Sequence, residues 1–343
     1  MSHFTDISAP SATSVRDEGK SWKRALSDAV RDPDELVDLL RLPESLRPGA
    51  RRAASRFPLV VPRDFLARMR SGDSHDPLLR QVLPLDAEEE EVEGYGSDPV
   101  GESGASLLPG LIQKYEGRVL LVAAGTCAIN CRYCFRREFP YADVPRGLEA
   151  WRPALGQIAA DPTVSEVILS GGDPLVLSDG TLERLASELA AIPHLKRLRI
   201  HSRLPIVIPE RVTESLLSWF RGTRLSPVLV VHANHPAELV GACSRALAKI
   251  VEAGVPVLNQ SVLLRGVNDD ADSLEQLSER LIELRVRPYY LHQLDPVRGA
   301  AHFHVREHRG REIVAELRRR LPGYAVPQYV REVPGATSKV PIG

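Results

Sequence analysis

A rhythm that begins at Arg118 limits this chain to few folds. Short apolar runs recur as "RVLLVAA" (118–124), "EVILSG" (166–171), "RLRIHS" (197–202), "VLVVHA" (228–233), "VPVLNQSVLL" (255–264) and "RPYYLHQ" (287–293). Residues 148–160, 181–191, 210–221, 237–253, 272–285 and 307–320 carry the apolar spacing of amphipathic helices. Six strands alternating with six helices predict parallel βαβ units and an α/β fold. Periodicity alone does not separate an open doubly wound sheet from a barrel. Either architecture places its site beyond the carboxyl ends of the strands. The segments just past those ends are polar: three cysteines, then "GGDP", "HSR", "HANH", "NQS" and "HQLD". That end of the sheet is the predicted site.

At 343 residues the chain has room for one large α/β domain and a smaller appendage. Its 43% hydrophobic and 26% charged content is that of an ordinary globular protein. A formal charge of −1 gives no drive toward nucleic acid or an acidic membrane surface, so neither is expected as a partner. No apolar run approaches the roughly 20 residues of a membrane span. Asp6, Arg16, Asp17 and Glu18 break up any leader-like apolar core at the N-terminus. Four cysteines, three of them clustered, do not form a secreted disulfide framework, and a reduced cytoplasmic setting is expected.

Residues 1–105 read as a mainly helical region. Helical spacing runs over 21–30 and 34–42, with Asp32 and Pro33 placed to start the second helix. Ala87–Ser106, acidic and rich in Gly and Ser, reads as a linker. Its four consecutive glutamates, and the basic stretch of Arg47, Arg51, Arg52 and Arg56, read as solvated surface.

Cys127, Cys131 and Cys134 are spaced C-x3-C-x2-C. Structural zinc needs four ligands. His194, His201 or Cys243 could supply the fourth, although Cys243 sits in an apparent helix and reads as a buried small residue. A disulfide would strand one thiol. Thiolates also hold iron–sulfur clusters, and three of them on a four-iron cube leave one iron open. His302 and His304 invite a metal reading as well, but no strong third ligand lies nearby.

With Tyr133 before the last cysteine, this spacing resembles the radical S-adenosylmethionine signature. That resemblance implies a [4Fe–4S] cluster, S-adenosyl-L-methionine on its open iron, and a partial (βα)6 barrel. "SGGDPL" resembles the glycine-rich motif after strand two, implying that Gly171, Gly172 and Asp173 meet S-adenosylmethionine. From Leu108 to Pro341 the chain is similar to the lysine 2,3-aminomutase family, through "CRYCFRR", "HSRLPIVIPER", "NHPAE", "LNQSVLLRGVND", "PYYLHQLD" and "GAAHF". In "YVREVPGATSKVPIG" the resemblance makes Lys339 the Schiff-base lysine of pyridoxal 5'-phosphate, a role that lysine amines chemically suit. It implies that Arg136 grips the substrate carboxylate, with Arg137 sharing the work or facing solvent. Asp295 and Glu332 would receive a side-chain ammonium, Glu332 standing where the family carries an aspartate. Lys114 and Arg118 align with cations near the cofactor phosphate, and His232 and Gln260 with positions lining the cofactor cavity.

Two acids opposite one arginine fit a dibasic amino acid and repel glutamate. The implied reaction is isomerisation of L-lysine to β-lysine, initiated by a deoxyadenosyl radical. "VPRDFLARM", "DPLLRQVLP" and "NCRYCFRREFPYA" resemble the short-form subfamily, whose (R)-β-lysine is attached by a partner ligase to elongation factor P. An electron donor is implied too, and a homo-oligomer is among the arrangements allowed. The expected layout is 1–105 helical, 106–325 barrel core, and 326–343 a C-terminal segment carrying the cofactor lysine. The alternatives are a general lysine 2,3-aminomutase and a non-catalytic iron–sulfur or zinc protein.

Overall fold

A computed structural model describes residues 21–343. The expectation of no leader, and the first part of the predicted helical region, lie outside the described residues. One sheet of ten strands runs in chain order. Its first three members are β1 (Ser106–Leu108), β2 (Leu111–Tyr115) and β3 (Arg118–Ala124). Next come β4 (Glu166–Gly171), β5 (Arg197–His201), β6 (Ser226–His232) and β7 (Val257–Val262). Last are β8 (Arg287–His292), β9 (Gln328–Arg331) and β10 (Val340–Pro341). Pairing is parallel from β3 through β9, and antiparallel at the β1–β2–β3 and β9–β10 ends.

The six predicted strands are β3 to β8. Each crossover moves one strand along and the order never reverses, which removes the switch point of a doubly wound sheet and selects barrel-type winding. No backbone pairing joins β1 to β10 among the described residues. The gap is bridged instead by side chains. Lys114 on β2 reaches Glu332, just past β9, at 2.5 Å, and the Tyr115 hydroxyl donates to the same carboxylate at 2.6 Å. The result is a partial (βα)6 barrel.

Strand periodicity of two sorts the side chains. Ile168 and Ser170, Arg199 and His201, Val230 and His232, Gln260 and Val262, Tyr290 and His292 face one internal cavity. The alternate Val167, Leu169, Leu198, Ile200, Leu229, Val231 and Leu291 are buried against the helices. Those helices begin as their sequences direct. Ser178 accepts from the amide of Thr181 to start Asp179–Ala190, Thr213 from Leu216 to start Glu214–Gly222, and Asp270 from Ser273 to start Ala271–Glu283. Leu182, Leu185 and Leu189, and likewise Leu274, Leu277 and Leu281, form the buried stripes.

The N-terminal helices, including Pro33–Leu39 and Arg47–Arg56, join the same apolar core, which runs from Trp22 to Ile342. Asp32 caps Pro33–Leu39 by accepting from the amide of Asp34, as predicted. The glutamate run needs a correction. Glu88 is buried and pairs with Arg132 at 2.6 Å and Arg137 at 2.7 Å, because two guanidinium groups behind the cysteine loop need a counter-charge. Glu89 pairs with Arg56 at 2.9 Å. Arg51 and Arg52 are surface residues bound to Asp34 and Asp86. Among the described residues no helix is long and apolar enough to cross a membrane.

Candidate active site

Gly125–Arg137 leaves the carboxyl end of β3 and lines the cavity, whose volume is about 1070 Å³. Cys127, Cys131 and Cys134 are free thiols facing it, and Cys243 is buried in the helix Ala242–Glu252 as a small residue. Among the described residues no three His, Cys, Asp or Glu side chains converge on a single-ion position. Zinc requires ligands about 2.0–2.3 Å from one point, so this placement lends the zinc reading no support, at the cysteines or at His302 and His304.

The loop is held from behind by the N-terminal region. The amide of Asn130 donates to Val60 O at 3.1 Å and that of Arg132 to Gln81 O at 2.9 Å. The Arg132 side chain adds a 2.7 Å bond to Phe57 O beside its Glu88 pair. From the β4 side, the amides of Gly172 and Asp173 donate to Ala124 O (2.8 Å) and Thr126 O (2.9 Å). A Cβ on Gly172 would meet Thr126 O at 2.3 Å, so the glycine pair first serves this backbone-on-backbone approach. Asp173 faces the cavity but brackets β4 to β5. It accepts from Leu175 N (3.0 Å), Ser202 Oγ (2.7 Å), Arg203 N (2.8 Å) and Leu204 N (3.1 Å), and burial pushes its carboxyl up to about 6.

Arg136 is buried, with its fork on Glu102: Nε to Oε2 at 2.8 Å and Nη2 to Oε1 at 2.6 Å. Its Nη1 reaches Ser170 Oγ at 2.9 Å. Arg137 neither faces solvent nor joins this group, being tied to Glu88 and to Gly299 O at 3.1 Å. Also on the cavity wall, Lys339 Nζ lies 2.5 Å from Glu332 Oε2, and Lys114 lies 2.5 Å from Oε1. The Asp295 carboxylate makes no hydrogen bond or ion pair with any described residue. Arg118 stacks over Tyr115 at 4.8 Å. Every residue singled out for a cofactor or substrate in the sequence lines this cavity, His232 and Gln260 included.

A scan against protein-family models finds no match. Curated relatives are informative. L-lysine 2,3-aminomutase of Escherichia coli is 47% identical over 100% of this chain and 98% of its own length. The chain belongs to the L-lysine 2,3-aminomutase family. The Haemophilus influenzae member is 43% identical over 96% of this chain and 97% of its own. That of Clostridium subterminale is 36% identical over 94% of this chain and 77% of its own. As a member of the aminomutase family, the chain is an isomerase. Among solved structures, Streptococcus suis SuiB bound to precursor peptide SuiA is similar at a TM-score of 0.48, with 14% identity over 65% of this chain and 50% of that one.

The two acids of the cavity are electrostatically distinct. Burial resists ionisation of Glu332, but Lys339, Lys114 and Tyr115 outweigh it and hold the carboxyl down to about 2. Asp295 lacks such partners, and burial pushes it up to about 7. Three imidazoles on the wall are kept neutral by burial. His232 and His292 are pushed down to about 3, helped by Arg203 and Lys339 respectively, and His201 falls well below its ordinary value. The donor set fits the implied groups. Three thiols around an open cavity suit a polynuclear cluster, which gives each thiolate its own iron. A lysine with two cations nearby suits a phosphorylated aldehyde. Sequence reasoning missed Glu102, hidden in an acidic linker, and Tyr290 and His292. The last two share the inward parity of Gln260, a signal that strand alternation carried.

Proposed function

We propose that the chain isomerises L-lysine to (R)-β-lysine, using a [4Fe–4S] cluster on Cys127, Cys131 and Cys134, S-adenosyl-L-methionine and pyridoxal 5'-phosphate. The observation that carries this reading is that the three thiols, Lys339, Arg136, Asp295 and Glu332 all line one cavity, with Glu332 paired to the lysine. The relatives bear the name of that reaction. Reductive cleavage of S-adenosylmethionine at such a cluster supplies a carbon-centred radical that abstracts hydrogen. Pyridoxal phosphate supplies an aldehyde that takes up an amine and delocalises an unpaired electron.

The residues bind and orient. Lys339 is the amine that anchors the aldehyde, with Lys114 and Arg118 placed for its phosphate. Glu332, which pairs with Lys339 through Oε2 and Lys114 through Oε1, would lie beside the cofactor lysine and offer a carboxylate to the side-chain ammonium of substrate. Asp295 offers the second carboxylate. Arg136 meets the substrate carboxylate with the N–H that its bonds to Glu102, Ser170 and Gly171 leave, or after Glu102 yields. The walls of Val230, Val262 and Tyr290 exclude water.

The finer assignment is to supply of β-lysine for attachment to elongation factor P by a ligase, in the cytoplasm and with a separate electron donor. "VPRDFLARM" and "DPLLRQVLP" support it through their resemblance to the short-form subfamily. The test is anaerobic incubation of reconstituted protein with L-lysine, both cofactors and a reductant, then chiral analysis. (R)-β-Lysine is expected. Mainly (S)-β-lysine, or an unchanged mass of elongation factor P after gene loss, overturns the finer assignment, and no β-lysine overturns the reaction.

A further inference from the structure

Behind the cysteine loop lies a buried polar assembly that the binding roles above do not use. Its centre is Arg203, in the "HSR" at the end of β5, at 7% exposure. Nη1 donates to the sulfur of Cys131 at 2.6 Å and to the Tyr133 hydroxyl at 2.9 Å. Nη2 donates to Gln81 Oε1 at 2.6 Å and Glu238 Oε2 at 2.9 Å. Glu238 is itself fully buried and accepts from Gln81 Nε2 (3.0 Å) and the amide of Asn234 (2.8 Å). Tyr133, the aromatic residue of the cysteine signature, also touches His232 Nε2 at 2.8 Å. Among the described residues, neither Cys127 nor Cys134 accepts a hydrogen bond from a side chain. One thiol of three therefore receives a charged donor.

Burying an arginine is costly, and Glu238 offsets that cost only if the geometry is kept. Anchoring the fork to Gln81 and Glu238 fixes its direction, and the direction is toward sulfur. Hydrogen bonds to cluster sulfurs and local charge set cluster potentials. An added electron makes the thiolate sulfurs more negative, so a cationic donor stabilises the reduced form more than the oxidised one. We propose that Arg203 is a positioning residue that raises the reduction potential of the cluster through Cys131. This rests on the reading that the three cysteines hold a four-iron cluster. The step concerned is addition of one electron from an external low-potential reductant, with no bond made or broken and no proton moved in the protein.

The experiment is an anaerobic potentiometric titration of reconstituted protein, read by electron paramagnetic resonance, without S-adenosylmethionine or lysine. Iron and sulfide content are measured in parallel. R203M is expected to be at least tenfold harder to reduce than the unmodified protein, equivalent to about 59 mV for one electron. R203Q, which keeps a donor without the charge, is expected between the two. A purely structural role would lower cluster content but leave the potential of the loaded fraction where it was. Fully loaded R203M titrating with the unmodified protein overturns the proposal. If R203M takes up no iron, R203Q decides by the same criterion. Loss of iron from both, with helical circular dichroism retained, also overturns it, making Arg203 a residue of loop folding. Unmodified protein that binds no iron sinks the cluster reading itself, a different and separable outcome.

Discussion

Asp295 and Glu332 show how two carboxylates 37 positions apart in sequence acquire different duties in one cavity. Glu332 is neutralised by Lys114 and Lys339, whereas Asp295 has no partner among the described residues and burial raises it to about 7. A substrate ammonium pairs with the ionised form, so binding strengthens as pH rises toward 7 and levels off above it. Between pH 5.5 and 6.5 the KM for lysine is expected to fall by about eightfold, as a single required ionisation near 7 implies. Asp295→Asn should abolish that slope and raise KM at pH 8, while cluster content stays unchanged. A slope that persists in the variant would assign it to another group. Arg136 is the residue whose expected role the structure complicates, because Glu102 already holds its fork.

At the scale of elements, the cysteine loop depends on a segment that precedes it by about forty residues. Glu88 is 4% exposed and holds both Arg132 and Arg137. Removing one partner of a buried pair costs about 3–5 kcal/mol. Glu88→Ala is therefore expected to lose stability of that order in denaturant unfolding and to bind iron poorly, and a loss under about 1 kcal/mol would contradict the clamp. This clamp was illegible in the sequence because Glu88 opens a run of four glutamates, and charge runs are usually solvated. Its partners lie far along the chain, where only the fold reveals them. Strands β3 to β8 were legible because continuous apolar runs of parallel strands stand out between amphipathic helices. Strands β1, β9 and β10 span 3, 4 and 2 residues, too short for alternation to register. The cysteines, Lys339 and the acids were legible as motifs, whereas Gln81 and Glu238 look ordinary until packed beneath Arg203.

For the whole molecule, the decisive feature is a barrel whose seam is closed by side chains. Lys114, Tyr115, Glu332 and Lys339 join β2 to the β9–β10 end without a backbone ladder. A double-mutant cycle with Lys114→Met and Glu332→Gln is expected to show coupling of roughly 0.5–3 kcal/mol in unfolding free energy, the range for groups in one network. Additive losses would mean that the seam does not act as a unit. Because the proposed function gives these same residues to cofactor and substrate, bound lysine is expected to raise the melting temperature.

The three imidazoles of the cavity wall carry a final consequence. His201, His232 and His292 are all held uncharged across the physiological range, so none is poised to pick up and release protons there. In the proposed reaction the migrating hydrogen is bound to carbon at each stage, so it does not exchange with the groups that do titrate in the cavity, Asp295 included. Turnover in heavy water should then give β-lysine almost free of carbon-bound deuterium, measurable by mass spectrometry, and extensive labelling would show that the wall leaks.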